Sequence, residues 1–316
     1  MSKRALITGV SGQDGSYLAE YLLGLEYEVY GLVRPRACAT NHNLAECRKH
    51  TGFCELEGDL LDQPSLDAAV QGARPHEVYN LAGHTFVGSS WDSPEHVFQV
   101  NALGTLRMLQ AVQRHAPSAR FYQASTSEMF GNQPAPQSEA TPFVPCSPYG
   151  IAKLAAHWFT VEFRSRGLWA CCGIAFNHES ARRGGQFVTG KLASHAAFKQ
   201  ATNSSQKLQV GNLHARRDWG HARDYVRAMH AMMQANAPTD YVIGTGRSLS
   251  VLEFAELVGL GTDDLEVTSK HMRPTDIAEL RADASKIKAA VGWSPSVAVE
   301  QLAAEMLRHH ADCWKR

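Results

Sequence analysis

The sequence predicts an α/β protein, a doubly wound parallel sheet joined to a smaller mixed α/β lobe. Three observations predict it. Short apolar runs alternate with amphipathic stretches through the first half, the connections between runs are long, and past about residue 177 the texture turns polar, Gly-rich and Arg-rich. A parallel neighbour needs a crossover of a dozen or more residues, so this alternation yields a parallel sheet covered by helices.

The first strand is read over Ala5–Ile7. It leads into a helix in which Tyr17, Leu18, Tyr21, Leu22 and Leu25 recur at helical spacing. Further strands are read over Glu28–Val33, Phe53–Leu56, Glu77–Leu81 and Ala119–Gln123, the last preceded by the helical stripe Leu103, Leu106, Leu109 and Val112. In the second half, strand-like pieces at Leu208–Val210 and Tyr241–Ile243 and helices from Val251 and Val299 are too small for an independent core. They are read as a lobe closing over the carboxyl edge of the sheet, with a helix over Arg223–Gln234 returning to the large lobe. The expected boundaries are 1–176 for the sheet domain, with part of 214–250 returning to it, and 177–316 for most of the smaller lobe.

Composition excludes several classes. Of 316 residues, 31 are Lys or Arg and 31 Asp or Glu, so no basic excess exists to neutralise nucleic-acid phosphates. The longest apolar runs, such as Trp169–Phe176, fall far short of the roughly 20 residues of a membrane span, and a cytoplasmic protein is expected. Seven cysteines without a C-x-x-C pair fit neither a disulfide framework nor a zinc site. They are read as reduced thiols. The 15 histidines are scattered without ligand spacing, so no metal is expected.

Directly after the first strand comes Gly9-Val-Ser-Gly12-Gln-Asp-Gly15, opening a helix. Glycines there permit a tight turn and close backbone approach to a pyrophosphate, while the helix N-terminus supplies unpaired N–H donors. The second strand ends in Val33-Arg34-Pro35-Arg36, without the acid that would hold a ribose 2′-hydroxyl. Two guanidiniums suit a 2′-phosphate, which predicts NADP over NAD. Asp59-Leu60 is placed beside the adenine, its carboxylate accepting from the exocyclic amine.

Tyr149-Gly-Ile-Ala-Lys153 follows Ser147-Pro148 and puts Tyr149 and Lys153 on one helix face. A phenol with a pKa near 10 is a poor base at neutral pH, but a neighbouring ammonium and a positive nicotinamide ring favour its phenolate. Lys153 is also suited to the nicotinamide ribose. The fifth strand runs into Gln123-Ala-Ser-Thr-Ser-Glu128, delivering Ser125 to Glu128 to the sheet's carboxyl edge, where open parallel sheets bind ligands.

With these residues in place the sequence resembles the extended short-chain dehydrogenase/reductase superfamily and, within it, the nucleotide-sugar 4,6-dehydratases, most nearly the GDP-mannose 4,6-dehydratase family. The likeness is carried by Thr8-Gly-Val-Ser-Gly-Gln-Asp-Gly-Ser-Tyr17, Gln123-Ala-Ser-Thr-Ser-Glu128, Ser147-Pro-Tyr-Gly150, Asn177-His-Glu-Ser180, Arg217-Asp-Trp-Gly220 and Arg273-Pro-Thr-Asp276, in order along nearly the whole chain. It implies a Rossmann-like domain holding NADP. It also implies a cycle in which hydride leaves C4 of the hexose as Tyr149, helped by Thr126, takes the 4-hydroxyl proton. Glu128 then removes the C5 proton and helps expel the 6-hydroxyl as water, and hydride returns to C6.

The resemblance assigns Gly9, Gly12, Gln13, Asp14, Gly15, Leu81, His178 and Arg183 to the cofactor, with Tyr149 and Lys153. It assigns Thr85, Ser127, Asn177, Lys191, Arg217 and Arg273 to the nucleotide sugar, the two last clamping its diphosphate. Arg182 and Arg183 are alternatively a subunit contact. The loop from Arg36 to Asn43 is expected to reach a neighbouring subunit's cofactor, implying a homodimer or homotetramer.

Two departures matter. Where the family pattern has Asn-Leu-Ala-Ala-Gln-Ser, this chain has Asn80-Leu81-Ala82-Gly83-His84-Thr85, so catalysis is expected to survive while sugar choice shifts. His84 is read as a hydrogen-bonded neighbour of the site, not an acid or base. Arg36-Ala37-Cys38 replaces the usual Arg-Ser-Ser. Rival readings are a dehydratase of another nucleotide sugar (a GDP-heptose, or a 5,6-elimination), a C4 epimerase or reductase, and a non-enzymatic dinucleotide sensor. An epimerase does not need Glu128, and a sensor does not need Thr126, Tyr149 and Lys153.

Overall fold

The structure, a computed structural model, describes residues 2–34, 42–273 and 275–314. Its first half runs β1 (Arg4–Thr8), α1 (Gln13–Gly24), β2 (Glu28–Val33), β3 (Phe53–Glu57), α2 (Gln63–Ala73), β4 (Glu77–Asn80), α3 (Pro94–Phe98), α4 (Gly104–His115), β5 (Arg120–Thr126), α5 (Pro148–Ser165) and β6 (Ala170–Ala175). The second half begins with β7 (His178–Glu179), α6 (Val188–Thr202), β8 (Leu208–Val210), β9 (Arg216–Asp218), β10 (Gly220–His221), α7 (Ala222–Met233) and β11 (Tyr241–Ile243). It closes with β12 (Ser248–Ser250), α8 (Val251–Leu257), β13 (Leu265–Val267), β14 (Glu279–Leu280), α9 (Ser285–Val291) and α10 (Val299–Trp314).

Seven strands form one sheet in the order β11-β6-β5-β4-β1-β2-β3, with every pairing parallel. The doubly wound fold is therefore as the sequence predicts, and the five expected strands are present. Two further strands complete the sheet. Trp169–Phe176, legible only as an apolar run, supplies β6, whose six residues are all buried, so no in–out alternation marks it as a strand. Tyr241–Ile243, grouped in the sequence with the second half, pairs with β6 as the sheet's edge strand.

Both faces of the sheet are covered. On one, Leu18 and Leu22 of α1 meet Val226, Met229 and Met233 of α7. On the other, Leu66 and Val70 of α2 pack with Met108 and Val112 of α4 and Phe163 of α5. Local chemistry sets the helix starts. Asp62 caps α2 by accepting the Ser65 N–H, and Ser147 caps α5 by accepting the Gly150 N–H, each with proline in the first turn.

The smaller lobe does have a buried cluster of its own, built from Leu192, Trp219, Phe254, Leu302 and Met306. The helix the sequence reading lacks there is α6. Its inward face is Thr189, Gly190, Leu192, Ala193, Ala196 and Ala197, too small and mixed to make an apolar stripe. Among the described residues no helix is long and apolar enough to cross a membrane, and the six described cysteines are all free.

Candidate active site

The strand order reverses at β1, and the carboxyl ends of β1 and β4 open a crevice there. The backbone at this point has no room for side chains. Gly9 has φ +68°, and a Cβ on it would lie 2.8 Å from the Ala82 Cα. At Gly15 a Cβ would lie 2.3 Å from the Gly9 carbonyl oxygen. Gly12 caps α1 without a side-chain acceptor, so the first-turn N–H groups have no cap and suit an anion. Thr8 pins the crevice. Its Oγ1 accepts the N–H groups of Leu81 and Ala82 at 3.1 and 3.0 Å and donates to Asn80 Oδ1 at 2.8 Å. Asn80 Nδ2 then donates to Gln123 Oε1 at 2.8 Å, tying in β5. A narrow glycine turn against an uncapped helix fits a dinucleotide pyrophosphate.

Gln13 faces inward, donating to the His178 carbonyl at 3.1 Å and accepting from Ser180 at 2.8 Å, which fastens α1 to β7. Asp14 and His178 form an ion pair of 2.8 Å. His178 Nδ1 meets the Phe176 carbonyl at 2.7 Å and its ring stacks on Tyr225 at 4.3 Å. Both ring nitrogens face acceptors, so both carry protons. Burial pushes the imidazole pKa down, but the Asp14 charge and hydrogen bond outweigh it and raise it. Burial likewise pushes the Asp14 carboxyl up, and His178 brings it below its usual value.

The pair's contribution to stability is therefore bounded by pH on both sides. Stability from the raised imidazole is complete below its unfolded value of about 6.5 and is lost as pH rises through the folded value. Stability from the lowered carboxyl is present above about 3.9 and is lost as pH falls through its folded value. The difference in melting temperature between wild type and His178→Gln is expected to be widest near about pH 5 and to shrink above neutrality, as thermal melts across pH will show.

Arg34 is exposed at the end of β2, and Arg36 lies outside the described residues, as does most of the loop from Arg36 to Asn43. The Asp59 carboxylate accepts the Leu61 N–H at 2.9 Å, and Leu60 is buried. Arg34, Asp59, Leu60, Gln13 and the three glycines do not contribute to the wall of the main cleft, a space of about 400 Å³. The other fourteen candidates do: Asp14, Leu81, Thr85, Thr126, Ser127, Glu128, Tyr149, Lys153, Asn177, His178, Arg183, Lys191, Arg217 and Arg273. Residues far apart in the chain thus share one cavity.

At the end of β5 the Thr126 hydroxyl accepts the Glu128 N–H at 3.3 Å, turning the chain so that Glu128 lies buried against the cleft. Tyr149 and Lys153 face it from the first turns of α5, both buried. Burial shifts both groups in the protein alone. Burial pushes the Tyr149 phenol up to about 12; a hydrogen bond with Thr126 opposes this and the Glu128 charge adds to it. Burial brings the Lys153 ammonium down to about 8, with Asp14 opposing, and its Nζ donates to the Ala124 carbonyl at 2.8 Å. Desolvation, not ammonium assistance, dominates the phenol in the protein alone.

The cations divide into fixed and less fixed. Arg217 donates to the carbonyls of Arg216 and Ile277 at 2.9 and 2.8 Å and meets Asp276 at 3.3 Å. Arg183 pairs with Glu179 at 2.7 Å, its guanidinium 3.4 Å from the Phe187 ring centre. Arg182, read alternatively as a subunit contact, is engaged within the chain by Ser16 and Glu20 at 2.9 and 2.6 Å.

Sequence reasoning missed several groups. Asn101 clamps the loop after β4, accepting the His84 N–H at 2.8 Å and donating to the His84 carbonyl at 3.0 Å. It lies just ahead of the helical stripe that begins at Leu103, where the stripe itself gave no signal for it. The His84 ring meets the Phe86 carbonyl and Ser89 Oγ at 3.2 and 3.1 Å and stays off the cleft wall. Phe86 of the large lobe meets Phe187 of the smaller one edge-on at 5.7 Å, both on that wall. Among the described residues His157, Cys172 and Asp240 form a cluster with ligand atoms within 4.8 Å of one another. There Arg164 holds both Asp240 oxygens at 2.7 Å, which makes the cluster a structural network.

The profile of the GDP-mannose 4,6 dehydratase family fits residues 6–306. The chain belongs to that family. It is 44% identical to GDP-mannose 4,6 dehydratase 1 of Arabidopsis thaliana over 99% of this chain and 91% of that protein. It is 43% identical to the Homo sapiens GDP-mannose 4,6 dehydratase over 98% and 91%. Among solved structures, DesIV, a dTDP-glucose 4,6-dehydratase from Streptomyces venezuelae with NAD bound, superposes with TM-score 0.87 at 21% identity, covering 98% of this chain and 97% of that one. RMD from Pseudomonas aeruginosa complexed with NADPH superposes with TM-score 0.79 at 24% identity over 98% of each. At those identities the two structures establish the fold, and membership of the GDP-mannose 4,6-dehydratase family makes this protein a dehydratase.

Proposed function

We propose that the protein converts GDP-mannose to GDP-4-keto-6-deoxymannose in the cytoplasm, with NADP as its resident cofactor. One observation carries the reading: Glu128, a buried carboxylate two residues past Thr126, lines the same cleft as Tyr149, Lys191, Arg217 and Arg273. The glycine turn at Gly9, Gly12 and Gly15 and the uncapped start of α1 would hold the dinucleotide, with Lys153 at its ribose. Bound there, the nicotinamide supplies reversible two-electron oxidation of C4 and ends each turnover unchanged.

Tyr149, hydrogen-bonded to Thr126, would accept the 4-hydroxyl proton as its phenolate, once the Lys153 ammonium and the positive nicotinamide ring offset the burial that keeps the phenol neutral in the protein alone. Once C4 is a ketone the C5 hydrogen is acidic, and Glu128 removes it. The resulting carboxylic acid gives its proton to the departing 6-hydroxyl, so water leaves; as C6 is reduced, C5 is reprotonated through Glu128, and the proton that Tyr149 took from the 4-hydroxyl balances the cycle, restoring both groups. Asn177, Lys191, Arg217 and Arg273 neutralise the diphosphate, and Thr85 and Ser127 meet the sugar. A C4 epimerase would use Tyr149, Lys153 and Thr126 alike but has no task for a buried Glu128.

The test is a panel of GDP-, UDP-, CDP- and dTDP-sugars, including a GDP-heptose, followed by mass spectrometry. Loss of one water from GDP-mannose without net cofactor reduction is expected; preference for another sugar would redirect the assignment. Arg34 supports NADP, and replacing Arg34 and Arg36 with Ser should reduce the preference for NADP over NAD. The outward face of α5 exposes Ile151 and Trp158, with Trp91, Phe98 and Val144 also exposed, which supports a homodimer or homotetramer. Light scattering of the purified protein decides it.

A further inference from the structure

Glu128 Oε1 lies 3.4 Å from an Nη of Arg273. The two partners are unequally held. The Glu128 side chain is 9% exposed and that of Arg273 35% exposed. Arg217, whose charge is also felt by Glu128, is committed to three acceptors and buried. Among the described residues the only acceptor of the Arg273 guanidinium is Glu128, through one long contact. Of two guanidiniums near the acid, Arg217 is held by three acceptors and Arg273 by one.

That contact conflicts with the reaction. A guanidinium resting on the carboxylate occupies an oxygen lone pair that would otherwise be open to the C5 proton. A diphosphate gathered by Lys191 and Arg217 in the same cleft offers Arg273 paired anionic oxygens that match its donor fork. Resting on the dehydratase reading above, we infer that Arg273 couples the two ends of the substrate: the diphosphate draws it off Glu128 and so frees the base. The nucleotide end then acts as an activator of proton removal as well as a handle for binding. Sugars without a diphosphate leave Glu128 paired, and discrimination against them arises in the chemical step.

The inference is tested on proton transfer alone. NADP-loaded enzyme in D₂O is given the ketone product, and deuterium at C5 is followed by NMR. Glu128 takes the C5 proton, the electron pair passes into the C4 carbonyl as an enolate, exchange at the carboxyl follows, and a deuteron returns to C5. With GDP-4-keto-6-deoxymannose, Arg273→Gln is expected to raise the half-saturating concentration about tenfold or more while exchange at saturation stays within about threefold of wild type. With the methyl glycoside of the same keto-sugar, added GDP should accelerate wild-type exchange about tenfold and Arg273→Gln exchange less than about twofold, with Arg273→Lys between.

A large fall in the saturating rate of Arg273→Gln, or no acceleration of wild type by GDP, overturns the inference. Melting temperature and NADP affinity of each variant establish that it is folded. If wild type fails to dehydrate GDP-mannose, the function itself is wrong; if it dehydrates normally and GDP has no effect on the glycoside, only the coupling is.

Discussion

Glu128→Gln is expected to lower dehydration by about 10³-fold or more while cofactor affinity and melting temperature stay near wild type. The amide preserves shape and keeps an acceptor oxygen for the Arg273 guanidinium, so the change falls on proton transfer. The carboxylate is asked to act twice, first on C5 and then on the departing hydroxyl, and an amide does neither. Mass spectrometry of GDP-mannose incubations provides the readout. Turnover within tenfold of wild type would remove Glu128 from the mechanism.

The second large effect is expected at Tyr149. Tyr149→Phe should cut turnover about 10²- to 10⁴-fold, the usual worth of a positioned base, with little change in substrate affinity. The phenol is buried, and the oxygen removed is the one that meets Thr126. Because burial drives its pKa to about 12, the protein alone holds Tyr149 as the neutral phenol at neutral pH. Retained turnover in Tyr149→Phe would show that another group accepts the 4-hydroxyl proton.

Much of this architecture was legible in the chain because it is local. The glycine turn, the Ser147-Pro148 helix start and the Tyr149 to Lys153 spacing each involve a few neighbouring residues whose types suit few other local conformations. What escaped is of two kinds. Elements buried on every side, such as β6, lose the alternation that reveals a strand, and the buried face of α6 is mostly small residues around Leu192. Contacts across long separations leave no local mark: Arg273 reaches Glu128 over 145 positions, and Gln13 reaches Ser180 over 167. The burial that opposes the Tyr149 phenolate was not legible either, because neighbours can be guessed from spacing, whereas depth below the surface cannot.

The chain leaves the main sheet after β6 and comes back to it for α7 and β11. This return path limits how the molecule can be recombined. A fragment ending at residue 176 would bare the groove that Val226, Met229 and Met233 fill and would expose β6 as a raw edge, inviting strand-to-strand aggregation. The smaller lobe is thus no detachable cassette. Engineers wishing to transplant sugar preference between relatives should graft the stretches on either side of 222–243 and leave that span with its native sheet.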